Sequence, residues 1–347
     1  MQVVLGGYYG KGNGGDEALL ATTLQMLPDD VKALVLSGNP AQTRKMYGVA
    51  SCDRFNGIQV LQALRQSKAL ILGGGSIMQD ATSLRNPIYY GSLLGIAQGM
   101  GLKTIALAQG IGPLKHPLSN AIAKRALSRC TAISVRDGGS AELLSNWNIS
   151  PLIAPDLVWG LEALPVKGLW DLPAPRVAVN LRSHPQLTPD RLACLTKALI
   201  HFQKATQTCI LLVPFQASQD LALAQAIAPQ LPGPNQIISL EDPRQLKGLF
   251  QGVEMAIGMR YHSLIMALAH ECLAFAISYD PKVSQLMAQL QVPGWELAEL
   301  PELPEQISQT WIEHYANGTS LNRPQIQSLI DRTQMHRDLL TATLLTT

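Results

Sequence analysis

The sequence predicts an α/β protein made of two doubly wound domains. Short aliphatic runs alternate with longer helical patterns along both halves of the chain, which is typical of βαβ units and a mainly parallel sheet. The 347 residues are 47% hydrophobic and 15% charged, which provides enough apolar surface for large cores. Since a single core seldom grows beyond about 250 to 300 residues, this length predicts two domains rather than one.

The aliphatic runs of each half are the predicted strands. They are residues 2–5, 33–36, 69–72, 104–108 and 132–135 in the first half, and 177–181, 209–213, 236–239, 255–258 and 274–278 in the second. The proline-rich stretch 155–175 has no regular pattern, so we expect a boundary near residue 165. The predicted domains are Rossmann-like, at 1–165 and 166–306, and face a cleft. The helical pattern of 307–347 predicts a tail that returns to the first domain.

Composition and charge exclude several classes of protein. The 27 Lys and Arg nearly balance the 25 Asp and Glu, and a net charge of +2 gives no electrostatic reason to bind nucleic acid. The cysteines are odd in number and scattered, so neither a disulfide framework nor a structural zinc site is expected. The start, MQVVLGG, lacks the basic segment of a secretory signal, and no apolar run reaches the ~18 residues of a membrane span. The expected location is the cytoplasm.

A glycine-rich loop, GGYYGKGNGGDE at residues 6–17, follows the first strand and leads into a helical pattern. Glycines at the carboxyl end of a strand let the backbone approach a ligand closely. A phosphate-binding loop would need Gly-Lys-Ser/Thr at the helix start, whereas this helix begins with Asp16 and Glu17, whose charges satisfy the helix dipole and repel phosphate. The acidic pair suits sugar hydroxyls better, although Asp16 alone is also an ordinary helix cap.

Two more glycine turns end strands of the same predicted sheet. GGGS at 73–76, with Asp80 beyond it, and QGIGP at 109–113 each follow an aliphatic run, and Arg136 ends the next strand. Because the carboxyl ends of parallel strands share one edge, these turns predict a ligand crevice there. Each turn alone is weak, since glycine also serves ordinary connections and an arginine in this position often forms an ion pair.

The second half carries a group of basic residues at strand ends. Arg260 and His262 follow the strand at 255–258, and Lys282 follows the strand at 274–278. The guanidinium matches a carboxylate with two hydrogen bonds, the ammonium is a compact partner for phosphate, and the imidazole can move a proton. A lone histidine is usually structural, but these neighbours favour a functional role for His262.

Taken together, these motifs resemble those of the polysaccharide pyruvyl transferase family, CsaB type. The matching segments are GYYGKGNGGDEALL, GGGSIMQD, QGIGP, SVRD, GMRYHSLI and SYDPKV, which are spread over nearly the whole of both predicted domains. The resemblance implies a GT-B-like fold and transfer of an enolpyruvyl unit from phosphoenolpyruvate onto a sugar of a cell-surface glycan or its lipid-linked precursor, as a cyclic ketal with phosphate release. Lys11 stands where an aromatic residue is common, and HECL at 270–273 replaces the usual Gly-x-Pro turn.

The resemblance also implies roles for individual residues. It makes Arg136, Arg260, Lys282 and Gly110 donor-binding candidates, and Asn13, Asp16, Glu17, Gly75 and Asp80 acceptor-binding candidates. We expect His262 to protonate the methylene carbon of the donor and Arg260 to hold the donor carboxylate. Asp80 is expected to orient or deprotonate the sugar hydroxyls, with the pair Asp16 and Glu17 as the alternative. Neither a metal ion nor a cofactor is expected beyond the donor substrate.

Two other functions fit the same architecture. A sugar-nucleotide glycosyltransferase would bind a nucleoside diphosphate in the second domain, and a non-catalytic glycan-binding protein would bind sugar without releasing phosphate. The basic group around His262 argues against the second. A nicotinamide dehydrogenase is least favoured, since no Gly-x-Gly-x-x-Gly loop followed by an acidic strand end is present. A lipid-linked acceptor would bring the protein to the inner membrane face as a peripheral partner.

Overall fold

The computed structural model describes residues 1–81 and 83–345. Its contacts divide the chain into two compact units. The first comprises Met1–Lys11, Asp16–Leu161 and the chain from Ser328 onward, and the second comprises Gly12–Gly15 and Glu162–Gln327. The change of unit after Leu161 lies close to the boundary predicted near residue 165. The predicted tail at 307–347 is divided between the units, and the short segment Gly12–Gly15 groups with the second.

Each unit is built on one parallel sheet. The strands of the first are β1 (Gln2–Gly6), β2 (Lys32–Ser37), β3 (Ala50–Asp53), β4 (Ala69–Leu72), β5 (Gly75–Met78), β6 (Lys103–Ile111), β7 (Ala132–Val135) and β8 (Leu152–Ile153). Those of the second are β9 (Arg176–Asn180), β10 (Cys209–Leu212), β11 (Asn235–Ile237), β12 (Met255–Gly258), β13 (Leu273–Ser278) and β14 (Gly294–Glu296). Their orders are β3-β2-β1-β4-β6-β7-β8, with β5 paired to β6, and β11-β10-β9-β12-β13-β14. Both orders are those of doubly wound sheets.

Helices connect the strands and cover the sheets. They are α1 (Gly14–Met26), α2 (Pro40–Tyr47), α3 (Gly57–Arg65), α4 (Arg85–Gly99), α5 (Pro117–Leu127), α6 (Gly138–Ser145), α7 (Pro189–Thr206), α8 (Ala217–Ile227), α9 (Pro243–Leu249), α10 (Tyr261–Leu268), α11 (Pro281–Leu290), α12 (Pro304–Asn317) and α13 (Arg323–Leu345). Several begin at side-chain caps, because Asn39, Asp137 and Thr188 each accept a hydrogen bond from a backbone N–H of the first turn. None of the described helices is long and apolar enough to cross a bilayer.

The central strands are apolar along their length because helices cover both faces of a parallel sheet. Val3, Val4 and Leu5 of β1 are completely buried. The core of the second unit includes Phe202 of α7, and Trp311 of α12 packs edge-on against it with ring centroids 6.4 Å apart. This contact explains why α12, within the predicted tail, belongs to the second unit.

A fully buried histidine ties α13 to the sheet of the first unit. His336 Nε2 lies 2.9 Å from the carbonyl oxygen of Pro155, and its Nδ1 lies 2.9 Å from Ser134 Oγ of β7. A carbonyl can only accept, so Nε2 carries the proton and Nδ1 accepts from the hydroxyl. Burial lowers the pKa of His336, which keeps the ring neutral in this role.

Candidate functional site

One edge of the second sheet collects the basic residues of that unit. Gly258, the last residue of β12, is paired with Asn180 of β9 on one side and with Ala276 of β13 on the other. The segments that leave these three strands therefore emerge side by side at their carboxyl ends, where open α/β sheets bind ligands. The sequence prediction that the segments bearing Arg260, His262 and Lys282 share one edge agrees with this register.

Arg260 is held by a buried carboxylate. Its Nε donates to Asp220 Oδ2 at 2.8 Å and its Nη2 to Asp220 Oδ1 at 2.7 Å, with both side chains almost fully buried. Asp220 Oδ2 also accepts from the backbone N–H groups of Phe215 and Gln216. We expected Nε and Nη2 of Arg260 to bind the carboxylate of the donor substrate, but Asp220 occupies both. Nη1 is left to contact that substrate.

His262 lies in the first turn of α10 and is half-buried. Its ring meets the ring of Tyr261 edge-on, with centroids 5.2 Å apart. A Cβ placed on Gly15 would lie 2.9 Å from His262 Cγ and would overlap Nδ1. Gly14 is fixed beside it, because its N–H donates to the carbonyl oxygen of Phe215 at 2.7 Å. Gly15 is therefore glycine because the His262 ring occupies the space of a side chain.

Arg182 is a residue that the sequence reasoning missed. It follows β9, is half-buried, and donates from Nη1 to Tyr279 Oη at 2.6 Å while its guanidinium lies 5.0 Å from the centre of that ring. Its Nε is buried and has no hydrogen-bond acceptor among the described residues. A buried, unsatisfied guanidinium N–H is costly and is a natural donor to an anionic ligand. The strand-end rule that selected Arg260 applies equally to Arg182.

Lys282 lies at the start of α11 beside the residue that caps this helix. Its Nζ is 3.2 Å from Asp280 Oδ2, and its backbone N–H donates to Asp280 Oδ1 at 3.2 Å. Both side chains keep part of their surface exposed, so the ammonium is still accessible to a ligand.

Arg136 of the first unit is also paired. Its Nη1 lies 2.6 Å from Asp156 Oδ2 and its Nη2 donates to Ser76 Oγ at 2.8 Å, with the ion pair buried. A Cβ on Gly110 would lie 3.0 Å from the Nε and Nη2 of Arg136. Gly110 and Arg136, two predicted donor-side residues, therefore lie against each other, and the absence of a side chain at 110 makes room for the guanidinium.

The acidic pair after the glycine loop divides into two different environments. Glu17 is buried, with Oε1 accepting from Gly10 N at 2.8 Å and Oε2 from Tyr47 Oη at 3.1 Å. Burial raises the pKa of Glu17 to about 6, which is the range of a useful general base. Asp16 is half-buried, and its Oδ1 lies 3.6 Å from the position of a Cβ on Gly75.

Asn13 and Gly75, the other acceptor candidates, have local structural reasons for their identity. Asn13 Oδ1 accepts from Gly15 N at 3.1 Å, which shapes the start of α1. Gly75 has a φ of +119°, a conformation open to glycine and strained for any other residue.

Asp80 anchors the chain ahead of α5. Its two carboxylate oxygens accept from Lys115 N at 2.9 Å and from His116 N at 2.8 Å. Burial acts to raise the pKa of Asp80, but these N–H donors outweigh it and hold the pKa below its ordinary value. Asp80 is thus a weaker base than Glu17, which makes Glu17 the better candidate for deprotonating a hydroxyl.

The raised pKa of Glu17 predicts a pH-dependent stability. The folded protein binds this proton more tightly than the unfolded chain, so stability is lost as pH rises from about 4.5 to about 6, by about 2 kcal/mol. Glu17→Gln removes this titration, and its stability relative to the parent protein should therefore increase over that interval. Urea unfolding at several pH values measures the difference. Glu142→Gln, at an exposed site on α6, is the control, and a difference that does not vary with pH would contradict the prediction.

No group of three or more His, Cys, Asp or Glu side chains is placed to hold a metal ion among residues 1–81 and 83–345. The polar groups gathered at the strand ends are hydrogen-bond donors and charged partners for anions and hydroxyls.

The architecture is that of GT-B glycosyltransferases and sugar-nucleotide epimerases. A UDP-GlcNAc 2-epimerase from Neisseria meningitidis, bound to UDP-GlcNAc, aligns with a TM-score of 0.64 at 7% identity over 99% of this chain and 100% of its own. A UDP-GlcNAc 2-epimerase from Methanocaldococcus jannaschii gives 0.63 at 8% identity over 98% and 99%. The glycosyltransferase SnogD from Streptomyces nogalater gives 0.58 at 15% identity over 99% of both chains. At these identities the likeness defines the fold class alone.

The family follows from the sequence match. The family model for polysaccharide pyruvyl transferase matches residues 13–281, the greater part of the chain, so the protein belongs to the polysaccharide pyruvyl transferase family. It is thus a transferase of polysaccharide biosynthesis. The matched stretch includes every predicted site residue except Lys282, which follows directly after it. A search of curated protein sequences finds no match.

Proposed function

We propose that the protein is a pyruvyl transferase of the CsaB type, which transfers the enolpyruvyl unit of phosphoenolpyruvate to two hydroxyls of one sugar as a cyclic ketal. The observation that carries this proposal is the carboxyl edge shared by β9, β12 and β13, which bears Arg182, His262 and Lys282. Such an edge suits a small donor that has both a carboxylate and a phosphate. The family match supports the same reaction.

The proposed reaction balances with a single proton donor and two hydroxyl nucleophiles. His262 protonates the methylene carbon, which becomes a methyl group and leaves an oxocarbenium-like centre beside it. The first sugar hydroxyl forms a C–O bond to that centre, and the C–O bond to phosphate then breaks. The second hydroxyl closes the ketal. Of the two protons that the hydroxyls release, one leaves with phosphate. The other is taken up by a carboxylate such as Glu17 and returns through solvent to His262, which restores the acid for the next cycle.

Arg182 and Lys282 are proposed to hold the donor. The unsatisfied Nε–H of Arg182 can donate a hydrogen bond to the carboxylate of phosphoenolpyruvate, and the exposed part of Lys282 can neutralise the leaving phosphate. Arg260 contributes through Nη1, with Asp220 fixing its orientation. Arg136 remains a donor-side candidate of the first unit, where Asp156 and Ser76 orient it.

Arg182→Lys tests the grip on the donor. The substitution keeps the charge but loses the planar fork, so KM for phosphoenolpyruvate should rise by about 10- to 100-fold, the value of one or two hydrogen bonds to a charged group. Steady-state phosphate release measures KM. Arg191→Lys is the matched control, because Arg191 lies in the same unit and its guanidinium donates to the carbonyl oxygens of Gln186 and Ala298. An unchanged KM in Arg182→Lys would make Arg182 a structural partner of Tyr279.

The reaction itself is tested by product analysis. The protein is incubated with phosphoenolpyruvate and a panel of free and lipid-linked glycans, and mass spectrometry looks for the ketal increment together with phosphate release. Parallel reactions with UDP- and GDP-sugars test the glycosyltransferase alternative, for which a sugar increment is the expected product. Glycan binding without either product would identify a binding protein. Use of a lipid-linked acceptor would support a peripheral contact with the membrane.

A further inference from the structure

A cluster of aromatic rings around one buried arginine occupies the carboxyl edge of the first sheet. Tyr8 follows β1, and Arg54 and Phe55 follow β3. β1 and β3 both pair with β2 in parallel, so their ends emerge at the same edge. Tyr89 and Tyr90, in α4, complete the cluster, which we call the aromatic platform. None of these residues has a role in the reaction described above.

Arg54 connects the parts of the platform through hydrogen bonds. Its Nη1 donates to the carbonyl oxygen of Gly7 at 2.8 Å and its Nη2 to Tyr90 Oη at 3.0 Å. The carbonyl oxygen of Arg54 accepts from Tyr89 Oη at 2.9 Å. The guanidinium lies 4.7 Å from the ring centre of Tyr89, 5.1 Å from that of Phe55, 5.5 Å from that of Tyr90 and 5.8 Å from that of Tyr8. The hydrogen bonds and cation–π contacts of one buried guanidinium thus join the rings of the platform.

Two residues of the platform are exposed to solvent. Phe55 is 69% exposed and Tyr8 is 39% exposed, while Tyr89 is half-buried and its ring packs against that of Phe55 with centroids 5.9 Å apart. The stem of Lys11 crosses Gly38, where a Cβ would lie 3.0 Å from its Nζ, and its ammonium stands 5.8 Å from the centre of the Phe55 ring. An exposed aromatic ring thus lies within cation–π distance of an ammonium that carries hydrogen-bond donors. An exposed apolar surface with polar neighbours is typical of a binding site.

We propose that the aromatic platform binds a pyranose ring of the glycan acceptor, with Phe55 as the stacking surface and Lys11 as a hydroxyl partner. The polarised C–H groups on one face of a pyranose suit the electron-rich face of an aromatic ring, and its equatorial hydroxyls reach outward to donors such as an ammonium. Preorganised rings lose little conformational freedom on binding, which favours affinity. The inference rests on the proposed function for the nature of the ligand, a glycan.

The position of the platform deepens the proposed specificity. It lies on the sheet edge that also begins the glycine loop, through Tyr8, and it contains none of the residues to which the proposed reaction assigns a proton transfer. A ring bound here is a sugar of the acceptor that is recognised rather than modified. The enzyme would accordingly require an acceptor of at least two sugars.

The test measures glycan binding by the full chain without any donor. Saturation-transfer NMR with maltotetraose, cellotetraose, mannotetraose and chitotetraose should show transfer to ring C–H protons for at least one of them. For that oligosaccharide, Phe55→Ala should raise Kd by about 10-fold, and Phe55→Tyr should restore it. Two variants should leave Kd unchanged. One is Ile58→Ser, which removes a neighbouring aliphatic side chain that is 72% exposed, and the other is Trp170→Ala, at a 66% exposed aromatic of the second unit.

Three results would overturn the proposal. Failure of all four oligosaccharides to bind, or binding that survives Phe55→Ala, overturns the proposal. Co-sedimentation with vesicles of phosphatidylcholine and phosphatidylglycerol that is lost in both Phe55→Ala and Ile58→Ser, without oligosaccharide binding, would assign the patch to a membrane surface and also overturn it. Binding is measured without donor and is therefore independent of the ketal assay described above. Phe55-dependent binding together with no ketal in that assay would refute the transferase reaction and leave the platform intact.

Discussion

Replacing His262 with glutamine is expected to lower the rate of ketal formation by about 10²- to 10⁴-fold while leaving the affinity for the donor nearly unchanged. The amide keeps much of the size and polarity of the imidazole but cannot deliver a proton to carbon. In the proposed reaction this proton is transferred only on the way to the transition state, so its loss acts on kcat rather than on ground-state binding. Phosphate release gives kcat and KM, and mass spectrometry gives the yield of ketal.

The matched control is His201→Gln. His201 lies on α7 of the same unit, has an exposed side chain and stands 3.9 Å from Glu305, away from the strand ends. It should leave both kinetic constants unchanged. A folded His262→Gln variant with near-native turnover would remove His262 from the chemistry, and a raised KM with normal kcat would make it a binding residue instead.

The inner strands could be predicted closely because of where they lie. The predictions at 69–72 and 255–258 coincide with β4 and β12, which lie inside their sheets and are buried along their length. A strand covered on both faces is a continuous aliphatic run and stands out in the sequence. β3 and β14 were not predicted, since they lie at sheet edges, are at most half-buried and have the mixed sequences ASCD and GWE.

The candidate site was predictable in position and not in partners. Arg260 and His262 could be placed at a strand end from local sequence alone, because a buried run followed by polar residues and a helix defines that edge. Asp220, which binds Arg260, lies on α8, and Asp156, which binds Arg136, lies beyond β8. These pairs join residues far apart in the chain, and no local pattern identifies which carboxylate a given arginine meets.

The glycine loop also has a long-range partner that the local sequence does not identify. A run of glycines after a strand predicts close approach of a ligand, whereas at Gly15 the group that comes close is the His262 ring of the protein itself. Both explanations require a missing Cβ, and the sequence cannot distinguish a ligand from a distant side chain. The loop and the proposed acid are therefore coupled through van der Waals contact.

Gly15→Ala is expected to lower turnover by about 10²-fold, the effect of moving a catalytic group by about 1 Å. The new methyl group would meet His262 Cγ at 2.9 Å and Cβ at 3.2 Å, so rotation of the ring alone cannot relieve the overlap. Stability should fall by about 1 to 3 kcal/mol, as in other overpacked sites. Helix propensity acts in the opposite direction, because alanine in a helix is favoured over glycine by about 1 kcal/mol. Steady-state kinetics measures the change in turnover, and urea unfolding measures the change in stability.

A double-mutant cycle with His262→Ala isolates the contact. Once the ring is gone the methyl group meets nothing of His262 beyond Cβ, so Gly15→Ala in this background should be neutral or stabilising, and the sign of its effect on stability should reverse. The coupling energy should therefore exceed about 1 kcal/mol, well above the error of additive sites. Gly99→Ala, where a Cβ meets no atom within 4 Å, is the control for propensity and should stabilise in both backgrounds. An equal loss of stability from Gly15→Ala with and without His262 would show that the loop tolerates no side chain for backbone reasons, and that the ring is positioned by α10 alone.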